Sequence, residues 1–273
     1  MTCTPPRPCP TLQYQPVLTP GGRRTRSALF WTGEYVREKV MEQTYENRPI
    51  RRARLLRIVV VRYLAVVVLL AALLFASAGD LSYWNAWLYM GALLIPMLFA
   101  LAYLIMKDPE LLEKRMRLRE REEKQKKYVR ISLVFFIVSF CVPGLDYRFG
   151  WSSVPVWLIV LATLLVLIGY MMFMIVMVQN SYASRIIEIQ ENQKLIDTGL
   201  YAVVRHPMYL AASILYIASP VVLGSFYGII PMLFLPFLLA YRIRNEEEVL
   251  KEGLDGYREY MDRVRYRMIP CVW

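Results

Sequence analysis

The chain has 273 residues, of which 57% are hydrophobic, yet it carries 33 Lys and Arg against 22 Asp and Glu, for a formal net charge of +11. Soluble domains sit near roughly 45–50% apolar, and here the charges are crowded between long apolar stretches, so the pattern is that of a multi-span membrane protein. One histidine, His206, and four cysteines without CxxC spacing (Cys3, Cys9, Cys141, Cys271) argue against a zinc, haem or iron–sulfur site and against a disulfide scaffold. The basic residues flank apolar spans, which points to anionic lipid headgroups as partners and not to nucleic acid.

Residues 1–40 contain Pro5, Pro6, Pro8, Pro10, Pro16 and Pro20 with the Gly21-Gly22 pair and no sustained periodicity. Disorder is expected there, with 1–50 forming a basic N-terminal extension. It has no apolar core of the signal-peptide kind, and Met41 opens a more ordinary segment.

Residues 51–178 read as transmembrane helices. A basic collar from Arg51 leads into an apolar run from Ile58 to Ala78, about 31 Å of helix, enough for one crossing. Arg62 lies in its first turns, where its stem can snorkel back to the headgroups. A second span runs from about Ser82 to Met106 and is entered through Tyr83, Trp84 and Trp87, residues suited to the interface. The intensely charged stretch 107–130 predicts a solvated helical arm laced with i,i+4 ion pairs, with the option of joining a cytosolic cap. Ile131 to Leu145 is a short apolar segment interrupted by Pro143-Gly144, and Asp146, Tyr147, Arg148 and Trp151 then read as a polar turn. Val154 to Val178 is uninterrupted. Its methionines (Met171, Met172, Met174, Met177) are assigned to packing and to no cofactor.

The last apolar region, 208–240, is too long for one span, and Pro220, Gly224, Gly228, Pro231 and Pro236 predict a hairpin turning near Gly224–Gly228. The expected fold is an all-α integral membrane protein of five to six transmembrane helices. A C-terminal cytosolic cap is made from 179–207 and 241–273, so that 179–273, hairpin included, forms the functional core. All basic residues except Arg62 and Arg148 fall in four segments that share one side of a six-crossing topology. The positive-inside rule puts that side in the cytosol.

A hairpin brings its two ends together, so the polar segments that bracket it should meet at the cytosolic surface. Asp197-Thr198-Gly199 is a turn signal. Pro207 suits the first helical position with His206 at the cap, and the unpaired N–H groups of that helix start suit an anionic ligand group. Glu246 and Glu247, just past the apolar run, suit an ammonium, a ribose or a sulfonium-bearing ligand. Each also has a plain structural reading: a capping histidine, a solvated glutamate-rich helix end, and Arg242 and Arg244 as membrane anchors.

The run G-L-Y-A-V-V-R-H-P-M-Y-L from Gly199 to Leu210, the later R-x-x-x-E-E-x-x-L (Arg242, Glu246, Glu247, Leu250) and the closing G-Y-x-x-Y (Gly256, Tyr257, Tyr260) resemble the isoprenylcysteine carboxyl methyltransferase family and its prokaryotic relatives. The similarity is loose over about residues 50–273 and close over 179–273. It implies an integral membrane methyltransferase that uses S-adenosylmethionine without a Rossmann domain. Carried over by position, the cofactor would meet Gln190, Gln193, Lys194, Leu195, Ile196, Tyr201, His206, Pro207, Met208, Tyr209 and Glu246, and Arg242 matches a substrate-positioning residue.

Methyl transfer from a sulfonium is an in-line displacement. A carboxylate acceptor is already ionised at neutral pH and needs no general base, so alignment and desolvation are the main tasks. Arg242 would hold that carboxylate by paired hydrogen bonds, while His206 and Tyr209 would shape the cofactor pocket without shuttling protons. The expected acceptor is a lipophilic small molecule or a lipidated peptide, such as a prenylcysteine C-terminus or an analogue. Phospholipid or amine N-methyltransferases share a related motif. Sterol-type membrane reductases that use NADPH carry a similar R-H-P-x-Y segment, although commonly with Asn where this chain has Met208. Both stay open at this point, as does a non-enzymatic membrane protein.

Overall fold

The structure is a computed structural model that describes residues 52–116, 123–182, 189 and 193–273. The N-terminal extension 1–50 lies outside the described residues, as do Gln190 and part of the charged arm. The elements in chain order are α1 (Arg52–Ala78), α2 (Trp84–Lys107), α3 (Pro109–Met116), α4 (Glu123–Phe149), α5 (Val156–Gln179), a 3-10 turn (Gly199–Ala202), α6 (Pro207–Val222), α7 (Ile229–Met232), α8 (Leu235–Gly253) and α9 (Tyr257–Arg263). No strand occurs among the described residues.

Four helices are long and apolar enough to cross a bilayer: Ala53–Ala78, Trp84–Lys107, Tyr128–Phe149 and Val156–Gln179. Only 22–28% of their most apolar windows is buried inside the protein. Large side chains such as Phe99, Trp157 and Met171 point outward, which is stable only where the surrounding solvent is itself apolar. The protein is therefore an integral membrane protein. The hairpin adds α6, whose 16 residues span about 24 Å, and a return leg broken between α7 and α8.

The core gathers Leu74, Ala86, Tyr89, Val166 and Val222 from α1, α2, α5 and α6, with Tyr83 at the N-cap of α2. α5 lies closely along α6, because a Cβ at Gly169 would sit only 3.0 Å from the Ala211 carbonyl and 3.1 Å from the Leu215 nitrogen. Small residues let membrane helices approach in this way.

The expected interruption at Pro143-Gly144 does not occur: α4 runs unbroken through both residues to Phe149. Gly144 instead marks where α1 presses on α4. A Cβ there would overlap the Ser77 hydroxyl and lie 2.9 Å from the Leu74 carbonyl. The polar turn expected after it is likewise part of α4 through Phe149. Asp146 is buried, accepts hydrogen bonds from the Ser152 backbone nitrogen (2.7 Å) and hydroxyl (2.6 Å), and also accepts the Ser225 hydroxyl. With Asn85 donating to the Val222 carbonyl at 3.0 Å and Tyr83 to that of Leu223, this cluster pins the hairpin turn, satisfying backbone groups for which lipid offers no partner.

The reading of 107–130 as a solvated arm is corrected over α3. Leu111 and Leu112 are each 1% exposed and pack with Leu55, Leu104 and Met177. Two adjacent leucines buried on a short helix dock it against the bundle, at the end where the candidate site lies.

Candidate active site

The site is built where the hairpin's two ends meet the C-terminal tail. The Arg205 and His206 backbone nitrogens donate to the Tyr266 and Arg267 carbonyls at 2.9 and 2.7 Å. The tail thereby fixes the approach to α6. Pro207 then opens the helix with His206 at its N-cap, as a residue without an N–H to satisfy does readily.

On α8, Arg242 and Glu246 are four residues apart and share a face, whereas Glu247 is turned about 100° from Glu246. The two glutamates consequently do different things. Glu246 faces the pocket and its Oε2 accepts the Tyr209 hydroxyl at 2.6 Å. Arg242 donates from Nε to the same hydroxyl oxygen at 3.3 Å, and its guanidinium lies 5.3 Å from the centre of the Tyr128 ring. Arg242, Tyr209 and Glu246 thus form one chain of donors and acceptors.

Glu247 is 1% exposed, which corrects the solvated-helix-end reading for this residue. Its carboxylate accepts Arg205 Nε at 2.8 Å and Nη2 at 2.7 Å, and Arg267 Nε at 2.9 Å, with His206 Nε2 at 3.3 Å. Burial alone would raise its pKa, but hydrogen bonds from His206, Arg205 and Arg267 and the charge beside it hold it at about 2. Arg205 also donates from Nη1 to the Val264 and Arg265 carbonyls. The hub therefore ties α6, α8 and the tail together.

Of the residues predicted from sequence, Gln193, Lys194, Leu195, Ile196, Tyr201, His206, Met208, Tyr209, Arg242 and Glu246 all line one pocket. Pro207 sets the start of α6 without lining it, and Gln190 lies outside the described residues. The Tyr201 hydroxyl accepts Asn180 Nδ2 at 2.9 Å. Burial pushes its pKa up to about 12 against that hydrogen bond. Met208 takes a contact of 3.1 Å at its sulfur from Arg115 Nη2, so α3 helps wall the site.

Sequence reasoning gave no role to Asn180, Tyr182, Arg205, Val249, Leu250, Leu254, Tyr257 or Tyr260, which also line the pocket. Arg205, Leu250 and the two tyrosines stood inside the quoted motifs, which was the available signal. Tyr260 donates to the Tyr201 carbonyl at 2.7 Å. The Tyr257 hydroxyl is buried without a hydrogen-bond partner among the described residues.

Residues 160–252 match the sequence model of the isoprenylcysteine carboxyl methyltransferase (ICMT) family. Over this stretch, about a third of the chain, the protein is similar to that family. No curated protein matches the chain significantly. The ICMT-family segment runs from within α5 to near the end of α8 and contains His206, Tyr209, Arg242 and Glu246. α9 and the tail, with Tyr257, Tyr260 and Arg267, complete the pocket and its hub from beyond the matched residues.

Proposed function

We propose that this protein is an S-adenosylmethionine-dependent integral membrane methyltransferase. Its acceptor is a lipophilic carboxylate such as a prenylcysteine C-terminus or an analogue, and the pocket faces the cytosol. The observation that carries this reading is the convergence of two stretches far apart in sequence, 193–209 and 242–246, on one pocket inside the ICMT-family segment. The donor set fits the cofactor. Glu246 offers a carboxylate to an ammonium or to sugar hydroxyls, and Leu195, Leu250, Leu254, Tyr257 and Tyr260 offer an apolar, aromatic wall to a purine. When bound, the cofactor supplies an electrophilic methyl group on sulfur, which passes to the acceptor oxygen and leaves a thioether.

The chain's own contribution is positioning. Arg242 is buried and steadied by Tyr209 and the Tyr128 ring, so its planar fork is pre-organised to hold a carboxylate. Leu238, one helical turn below it, lines a groove of about 590 Å³ between α4 and α8, with Ile131, Val134, Phe135, Phe234 and Phe237. That apolar groove suits a lipid tail entering sideways from the bilayer, with its polar end at Arg242. An amine acceptor gains nothing from a guanidinium at this place, which favours the carboxylate.

The test is ligand binding by the detergent-purified protein, comparing S-adenosylmethionine with NADPH, in wild type and Glu246→Ala. Micromolar binding of the sulfonium cofactor, weakened at least tenfold (about 1.4 kcal/mol or more) in the variant, is expected. Binding of NADPH alone would move the protein to the reductases.

A further inference from the structure

Beyond the residues that the family resemblance implies for the cofactor, one pocket group has unmet chemistry among the described residues. Tyr257 opens α9, and its ring packs with Leu195, Leu250, Leu254 and Tyr260 to form the apolar wall. The side chain is 3% exposed, and its hydroxyl has no hydrogen-bond partner among the described residues. A buried hydroxyl left without a partner costs about 1–3 kcal/mol, so such a group in a pocket calls for an explanation in terms of what the pocket holds.

Tyr257 shares its pocket with the charged residues Glu246 and Arg205. Burial first, and then the carboxylates of Glu247 and Glu246, raise its pKa, with Arg205 opposing them. It is therefore a neutral phenol, able to donate. Glu246 already accepts Tyr209 through Oε2, and a carboxylate has further acceptor capacity. Tyr257 and Glu246 line the same pocket, so one ligand group between them would need to accept from the phenol and donate to the carboxylate. A hydroxyl can do both.

Resting on the cofactor reading above, we propose that the Tyr257 hydroxyl is a ligand-binding group for the sugar of a nucleoside cofactor, donating to a ribose hydroxyl that in turn donates to Glu246. The apolar wall then holds the base, and Arg242 marks the direction of the reacting end. This assigns a binding role to a residue beyond the family-matched segment, on a helix that the matched residues do not include.

The experiment measures the dissociation constants of S-adenosylhomocysteine and its 2′,3′-dideoxyribose analogue for the full chain in detergent, in wild type and Tyr257→Phe, alongside the melting temperature of each free protein. Phenylalanine keeps the ring and removes only the hydroxyl. The expected result is about tenfold weaker binding of S-adenosylhomocysteine by the variant and no change for the dideoxy analogue, because the lost bond needs the sugar hydroxyl. The free variant should melt at the same temperature or higher, since an unpaired buried group has been removed. Equal affinity of wild type and variant for S-adenosylhomocysteine would overturn this inference and leave the cofactor reading standing. An equal loss with both ligands would place the hydroxyl elsewhere on the ligand and overturn it too, as would a lower melting temperature of the free variant, which would reveal a partner within the protein. Failure of the wild type to bind S-adenosylhomocysteine at all would remove the cofactor reading and this inference together.

Discussion

Replacing Glu247 with Gln tests the hub that joins α6, α8 and the tail. The carboxylate is 1% exposed and meets Arg205, His206 and Arg267. Despite a burial that opposes ionisation, these partners hold it at about 2, against an ordinary value of 4.5. A depressed carboxylate contributes stability that is fully present above its unfolded value and lost as pH falls through the folded one. Here the window runs from about pH 4.5 down to about 2, and the shift corresponds to about 3 kcal/mol. Glutamine keeps the shape but leaves the buried Arg205 without a counter-charge, a change of the same order, about 3–5 kcal/mol. For a chain of this size each kcal/mol moves the melting temperature by about 2–4 °C. Thermal unfolding in detergent at pH 7, followed by tryptophan fluorescence, should therefore show Glu247→Gln melting roughly 6–20 °C below wild type. The gap should narrow as the buffer is taken from about pH 4.5 toward 2, where the wild-type carboxylate itself takes up a proton. A difference within about 2 °C at pH 7, or a gap that widens on acidification, would refute the assignment of Glu247 as a buried ionic hub.

Two further substitutions probe how the site is held. Gly144→Val places side-chain atoms where the Ser77 hydroxyl and Leu74 carbonyl lie; forcing α1 from α4 should cost about 1–3 kcal/mol, seen as a lower melting temperature, and an unchanged one would contradict the close approach of these helices. Asp146→Ala leaves the Ser152 and Ser225 hydroxyls without their acceptor at the hairpin turn. It should lower the melting temperature while leaving the affinity for S-adenosylhomocysteine within about twofold, as the pocket lies at the other end of the hairpin, and a large affinity loss with unchanged stability would reverse that reading.

The lengths of the apolar runs and the placement of charge between them were enough to read an all-α membrane protein, because a lipid solvent forces the backbone into helices and leaves few alternatives. The hairpin turn at Gly224 and the start of α6 at Pro207 were legible for a similar reason: glycine and proline act through their own backbones. The motifs also named most of the pocket. What a linear reading could not separate was Glu246 from Glu247. They are neighbours of identical chemistry, and the rotation of one helical residue sends the first to the pocket and the second into a buried hub whose partners, Arg205 and Arg267, come from segments far apart in sequence. The same limit applies to Leu111 and Leu112, which look like part of a charged arm until α3 docks, and to Pro143-Gly144, which reads as a break until α1 is seen to fill the space glycine leaves. Tyr257 is the clearest case. The motif names the residue, whereas its meaning depends on a hydroxyl buried in the pocket with no hydrogen-bond partner among the described residues. Apolar pattern and backbone chemistry are local and survive in one dimension. Burial, charge pairing and unmet hydrogen bonds are properties of neighbours, and tertiary packing alone chooses those.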